Sequence, residues 1–382
     1  MTSFLQGFQG LTKNSHFNGL WAAYLFFVVT FALNMSVVFY GIKGGIERLC
    51  KIAMPVLFLF AAIIMIRVLT LGAPDATKPT WNAINGLGFL WNPDFSALKS
   101  AKVWLAAAGQ MFFTLSVGIG VILTYSSYLR KQDDVALSGL TAASTNEFAE
   151  VILGGSIIIP AAFMFFGPVG VVEVAKGGAF NLSFVTMPIM LQQFQLAGFF
   201  GFLWFGMLFL AGVTSSISLA QPAVAFLEDE FNIDRKKATW IFGIITFILC
   251  QPAIFFLGRG VVNELDFWGG TFCLVLFATV EVILFAWVFG IDKAWDEMHH
   301  GAIMRIPRVY KFIIKYVTPL FLLFILGFWF IQQGMPTIMM KGISNADKPF
   351  ILATRVGLIS IFTLLCVLVN IAWRKRKMKT YH

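Results

Sequence analysis

The sequence predicts an all-α protein, a polytopic bundle of transmembrane helices, and three observations predict it. Hydrophobic residues make up 58% of the 382 positions and charged residues only 12%, with a mean hydropathy of +0.81, far from the mixture of a soluble domain. The hydrophobic residues fall in nine blocks, each long enough to supply the roughly 20 residues of helix that cross a hydrocarbon core of about 30 Å. No block alternates apolar with polar residues as a barrel strand does. In lipid, each segment must then satisfy its own backbone, which only a helix does.

In chain order the blocks are 18–42, 48–71, 103–129, 136–167, 198–227, 239–257, 266–289, 312–333 and 350–372. Basic residues concentrate in alternate gaps: Lys43, Arg48 and Lys51; Arg130 and Lys131; Arg235, Lys236 and Lys237; Lys293, Arg305, Arg308 and Lys311; and the tail Arg374, Lys375, Arg376, Lys377 and Lys379. Basic flanks are retained on the cytoplasmic side, so the C-terminus is expected there, in the cell membrane. The net charge of +9 is then mostly topology. Nucleic-acid binding is not indicated, because no soluble basic face interleaves with stacking aromatics.

Nine spans with the C-terminus inside place the N-terminus outside, yet residues 1–17 contain no apolar signal-peptide core. The expectation is that an odd number of spans precedes Met1 and that residues 1–17 end an outer loop. Cys50, Cys250, Cys273 and Cys366 lie singly in or beside apolar blocks, and His16, His299, His300 and His382 are scattered, so neither a disulfide framework nor a transition-metal site is indicated. Two long outer stretches, 73–102 and 168–197, have the length of functional lids. The inner stretch 290–311 is mixed in charge and expected to be partly helical. The triplet Asn181-Leu182-Ser183 is a formal glycosylation sequon of little weight.

Three blocks carry polar clusters. The middle of 103–129, Thr114 to Gly120, is a poor helix: Gly118 and Gly120 each cost about 1 kcal/mol relative to Ala, and the Thr114 and Ser116 hydroxyls compete for backbone groups. A break there would free peptide groups at the bilayer midplane for an ion or a zwitterion; the same residues equally permit close helix packing. In the next block Asn146, Glu147 and Glu150 sit well inside an otherwise weakly polar helix, with Asn146 and Glu150 on one face. An ionisable group inside a span costs at least about 2.5–3.5 kcal/mol and is a functional hypothesis by default, unless the helix begins near Thr145 and the acids stay wet. In the fifth block Ala211, Thr214 and Ser215 share a face, an oxygen set suited to a hard cation. Taken alone, that stretch fits serines bonding back to their own helix better.

Four runs, GQMFFTLSVGIGVILTYSSYLRK (109–131), LSGLTAASTNEFAEVILGGSI (137–157), FLAGVTSSISLAQPAVAFLEDE (209–230) and ELDFWGG (264–270), together resemble the neurotransmitter:sodium symporter family, especially its bacterial amino-acid members. The resemblance covers almost the whole chain. It implies an inverted-repeat amino-acid transporter fold of about nine helices with an incomplete first repeat. Residues 1–72 would hold the fourth and fifth helices of the family, 103–290 the second repeat, 311–373 two peripheral helices, and 374–382 a basic cytoplasmic tail. The first three helices would be absent.

Residue by residue, the resemblance implies a substrate site of Phe113, Thr114 and Ser116, whose carbonyls face an amino group, with Ile119, Ser215 and Leu219 shaping a pocket for an apolar side chain. Ile119 stands where some relatives carry an aromatic residue. One sodium site would take Thr114 and Asn146; the other would take the Ala211 carbonyl with the Thr214 and Ser215 hydroxyls. Glu150 falls where chloride-dependent relatives have a small polar residue, which implies chloride independence. Asp266 and Asp229 match the outer and inner gate acids, whose arginine partners would lie on the absent helices, leaving both acids unmatched; Ser127 and Tyr128 match neighbours of the inner gate. The expected partners are an amino acid, sodium ions and the lipid bilayer, with self-association left open. The implied activity is sodium-coupled symport by alternating access, without bond chemistry and so not enzymatic. Two other classes remain, a non-transporting remnant and a membrane protein with a partner-binding role.

Overall fold

The structure, a computed structural model, describes residues 1–380, with side chains described for 1–374. Apart from Arg374, the side chains of the basic tail expected at 374–382 lie outside the described residues. The elements are α1 (Thr2–Phe8), α2 (Trp21–Phe39), α3 (Ile42–Leu69), α4 (Ala83–Leu90), α5 (Ala101–Thr114), α6 (Val121–Ser126), α7 (Val135–Lys176), α8 (Gly178–Leu191), α9 (Ala197–Phe231), α10 (Arg235–Phe255), α11 (Val261–His299), α12 (Val309–Ile338) and α13 (Lys348–Thr380). No strand occurs among the described residues.

Eight of these helices, α2, α3, α7 and α9 to α13, are long and apolar enough to cross a membrane, which makes this a multi-pass membrane protein. The sequence predicts nine spans. The difference is the block at 103–129, which forms the two short helices α5 and α6 with non-helical backbone between Thr114 and Val121.

Other boundaries have local causes. The block expected to end at 167 is kinked there: Gly167 takes φ 69°, and the Trp81 ring lies 2.3 Å from where a Cβ would stand, so a side chain is excluded on both counts. The helix resumes at Pro168 and runs to Lys176. The two stretches expected as lids are largely folded, the first holding α4 and the second α8. Ser183 of the sequon lies in α8, and its carbonyl accepts the Trp204 indole N–H at 2.9 Å. The inner stretch is helical over Ile291–His299 after a break at Gly290, where φ is 94°.

Contacts group the chain into two compact units, Met1–Phe95 with Ser144–Ser218 and Ser96–Ala143 with Leu219–His382. In the first, Ile64 and Val68 of α3, Ile157, Ala161 and Met164 of α7, Met187 and Met190 of α8, and Leu203 and Trp204 of α9 make a continuous buried cluster. There α4 crosses α7 so closely that a Cβ on Gly86 would stand 2.6 Å from the Pro160 Cα. In the second, Ala101, Leu105 and Ala108 of α5 pack with Val275 of α11 and with Ile325 and Trp329 of α12. Small residues on α5 bring its backbone near its neighbours.

Aqueous helix ends are capped by carboxylates. Asp234 accepts from Lys237 N at 3.2 Å at the start of α10. Asp134 accepts from Leu137 N at 2.8 Å at the start of α7, and also from Ile303 N at 2.7 Å, which ties down the loop after α11. These two backbone donors, Leu137 first, hold the Asp134 carboxyl below its usual range. Its contribution is complete above the ordinary carboxylate pKa of about 4 and is lost as the pH falls through the lower folded-state value. Amide exchange at Ile303 should therefore accelerate several-fold in Asp134→Ala at neutral pH; unchanged exchange measured by mass spectrometry would contradict the tether.

Candidate functional site

The interruption between α5 and α6 is built from its residues. At the end of α5, Ser116 N donates to Phe113 O at 3.1 Å and Val117 N to Phe112 O at 2.9 Å, the bond pair of a Schellman cap. The residue in the left-handed position is Ser116, with φ 58°, where glycine is usual. A non-glycine residue held there costs on the order of 1 kcal/mol or more, and such strain clusters at ligand sites. Gly118 and Gly120 follow with φ 79° and 76°. Gly120 places its carbonyl to receive Thr124 N at 3.0 Å and the Thr124 hydroxyl at 2.8 Å, which starts α6.

The segment lies against α11. A Cβ on Gly118 would stand 2.5 Å from Leu274 O and 2.9 Å from Ala278 N, so only glycine fits that approach. The Gly118 N–H is taken by the Glu281 carboxylate at 3.1 Å. The sequence reading missed Glu281 as a partner of the interruption; the signal was present, an acid inside the apolar block 266–289.

Of the residues expected to bind substrate, Phe113, Thr114, Ser116 and Ile119 thus share one short stretch, with the Phe113 side chain exposed and the other three half-buried. Leu219 lies in the same compact unit, on α9, whereas Ser215 belongs to the other unit. Thr114 and Asn146, expected to share a sodium ion, also fall in different units.

Within the first unit, Thr214 donates to Leu210 O at 2.9 Å and to Ala211 O at 3.1 Å. The Ala211 carbonyl and the Thr214 hydroxyl are therefore adjacent, with Ser215 exposed beside them. Ser216 donates to Asn34 Oδ1 of α2 at 2.6 Å. That buried amide, also missed by sequence reasoning, anchors the other side of the α9 turn. Asn146 and Glu150 lie well inside α7, which starts at Val135, so the reading in which the helix begins near Thr145 is set aside. The Asn146 amide faces Glu150 Oε2 at 3.5 Å where the helix widens over Phe148–Gly154, a wide turn of the kind often found at functional sites.

The inner-gate candidates lie in the second unit. The buried Gln221 of α9 donates to the Tyr128 hydroxyl at 3.4 Å and accepts from Arg235 Nη2 at 2.8 Å, while Arg235 Nη1 pairs with Glu228 at 3.2 Å. Ser127, at the end of α6, donates to Thr124 O at 2.7 Å. Asp229, expected without a partner, is engaged by neighbouring groups, which corrects that expectation. Asp266 is exposed near the start of α11, with its carboxylate lying over Gly270.

Discontinuous membrane helices with a strained, glycine-flanked turn recur in transporter folds. The Sodium:neurotransmitter symporter family model matches residues 3–375, and the chain belongs to that family. It is 30% identical over 285 residues to an uncharacterized sodium-dependent transporter of Methanocaldococcus jannaschii, covering 74% of this chain and 56% of that protein. It is 33% identical over 259 residues to the uncharacterized sodium-dependent transporter YhdH of Bacillus subtilis, covering 67% and 52%. A sodium-dependent nutrient amino acid transporter of Drosophila grimshawi is 25% identical over 307 residues, covering 78% and 46%. The crystal structure of MhsT in complex with L-phenylalanine superposes with a TM-score of 0.71 at 26% identity, covering 86% of this chain and 70% of that one. The chain spans about half the length of these curated relatives.

Glu281→Leu leaves the Gly118 N–H without its carboxylate acceptor, a loss of about 1–3 kcal/mol, whereas Glu281→Gln keeps an acceptor. Thermal unfolding in detergent should fall by several degrees for the first and less for the second; equal melting of both with the parent would contradict the contact.

Proposed function

We propose that this chain forms the larger part of a sodium-coupled symporter for a neutral, apolar amino acid, working by alternating access in the cell membrane with its C-terminus in the cytoplasm. The observation that carries the reading is the interruption at 115–120. Peptide groups of Phe113, Thr114 and Ser116 receive the amino group of a zwitterion, and Ile119, Ser215 and Leu219 set an apolar side-chain pocket. Thr114 and Asn146 serve one sodium ion, and Ala211, Thr214 and Ser215 the other. Carbonyl and hydroxyl oxygens suit a hard monovalent cation, and no thiolate or imidazole is needed.

Coupling follows from differential affinity: sodium and substrate bind the same outward-open state, so each raises the affinity for the other, and only the doubly occupied form closes. Asp266 with its surroundings forms the outer gate. Asp229, Tyr128 and Ser127, next to the Gln221–Arg235–Glu228 network, form the inner gate. Glu150 supplies beside Asn146 the fixed negative charge that a chloride ion would otherwise bring.

The test is uptake of labelled L-phenylalanine into proteoliposomes carrying the complete transporter of which this chain is part, under an inward sodium gradient, in chloride and in gluconate. Uptake should need sodium and proceed equally in both anions. Asn146→Ala and Phe113→Ala should each reduce it at least about tenfold, the loss of roughly 1.4 kcal/mol of binding. Sodium-independent uptake, strict chloride dependence or undiminished uptake by both variants would contradict the reading.

A further inference from the structure

One buried ion pair joins two residues not yet given a role, Glu264, two positions before Asp266 on α11, and Arg355 of α13. Glu264, in the first turns of α11, is 8% exposed, and the side chain of Arg355 on α13 is 14% exposed. Arg355 Nε donates to Glu264 Oε1. Its other two nitrogens donate to main-chain carbonyls at the end of α12, Nη1 to Ile338 O at 2.7 Å and Nη2 to Thr337 O at 3.0 Å. The guanidinium also lies 5.4 Å from the ring centroid of Trp268, whose indole N–H donates to the same carboxylate oxygen at 2.6 Å. One planar fork thus gathers three helix ends, and an ammonium could not reproduce that geometry.

The contacts continue towards α5. Trp268 stands edge-on to Phe272 with centroids 5.3 Å apart, and Phe272 lies 4.8 Å from Trp329 of α12. Trp329 is buried with Ala101, Leu105 and Ala108 of α5, and Phe112 packs on the same cluster. Thr271 lies 3.5 Å from where a Cβ on Gly109 would stand. A rigid chain of aromatic and backbone contacts therefore links Arg355 to the half-helix that ends at Phe113 and Thr114.

We propose that Arg355 is a positioning residue for substrate binding: through Glu264 and the Trp268–Phe272–Trp329 layer it sets the placement of α5 against the start of α11. A buried pair acts this way because each partner alone would be an uncompensated charge, so the geometry is held in one arrangement. The inference rests on the proposed symport, and it assigns α13 a part in the site although none of its residues was expected there.

Proximity along a chain of contacts is not coupling, so the test measures coupling. Arg355→Gln, Arg355→Lys, Glu264→Gln and the double variant R355Q/E264Q are assayed in proteoliposomes for the KM and kcat of sodium-driven L-phenylalanine uptake at matched protein levels. In the same preparations, with the four native cysteines replaced, Met111→Cys reports on α5 through its alkylation rate and needs no transport. The expected result is a KM raised at least about threefold in each single variant, with the double variant no worse than the worse single, as for one coupled unit, and a changed alkylation rate in the same variants. Should Arg355→Gln fail to insert, Arg355→Lys, which keeps the charge and loses the fork, decides. Parental KM and parental alkylation in the variants overturn the inference, as does additivity in the double variant. A parent that takes up no amino acid contradicts the proposed function instead, and the alkylation rate then decides whether Arg355 positions α5.

Discussion

A bilayer offers no water to a peptide group, so a helix that stops partway across must satisfy its loose ends from within the protein, and the interruption between Thr114 and Val121 does so from two sides. The end of α5 folds back on itself, with Ser116 accepting a left-handed conformation. The Gly118 amide, which has no place in that cap, is met by the carboxylate of Glu281 on α11. An interruption whose cap and Gly118 amide are met by the protein's own groups asks less of a ligand than one that a ligand must unwind.

The dependence on α11 explains several residue choices at once. Gly118 approaches Leu274 O too closely for any side chain, and Gly109 stands against Thr271. Only at Gly118 does the approach require glycine, since a Cβ on Gly109 would meet Thr271 at an ordinary contact distance of 3.5 Å. The same helix carries Glu264 and Asp266 near its start and Glu281 further on, so support for the interruption and the candidate outer gate share one rigid element. Local helix propensity was yielded along 109–120 in favour of a fixed tertiary contact.

Much of this was legible beforehand. Block length and apolar composition gave the spans, because hydrocarbon thickness imposes both. Gly118, Gly120, Thr114 and Ser116 marked the interruption, since each is unfavourable in a buried helix interior, although composition alone could not separate a break from close packing. What stayed hidden is tertiary. Nothing near Gly118 in the sequence points to Glu281, more than a hundred residues away, and Asn34 reads as one polar residue in an apolar block until Ser216 is seen to bond to it. The Arg355–Glu264 pair was hidden for the same reason. The helices within the 73–102 and 168–197 stretches were missed because the stretches were read by their length alone, whereas α4 lies in the first and α8, with Pro188 inside it, in the second.

In the proposed mechanism the peptide groups of 113–120 are the ligand-binding element. Hydrogen–deuterium exchange of that segment, followed with sodium alone, amino acid alone and both together, tests it most directly. Clear protection of the segment is expected only when both are present, because each ligand favours the state the other binds. Equal exchange under all conditions, with protection appearing elsewhere in the chain, would contradict it.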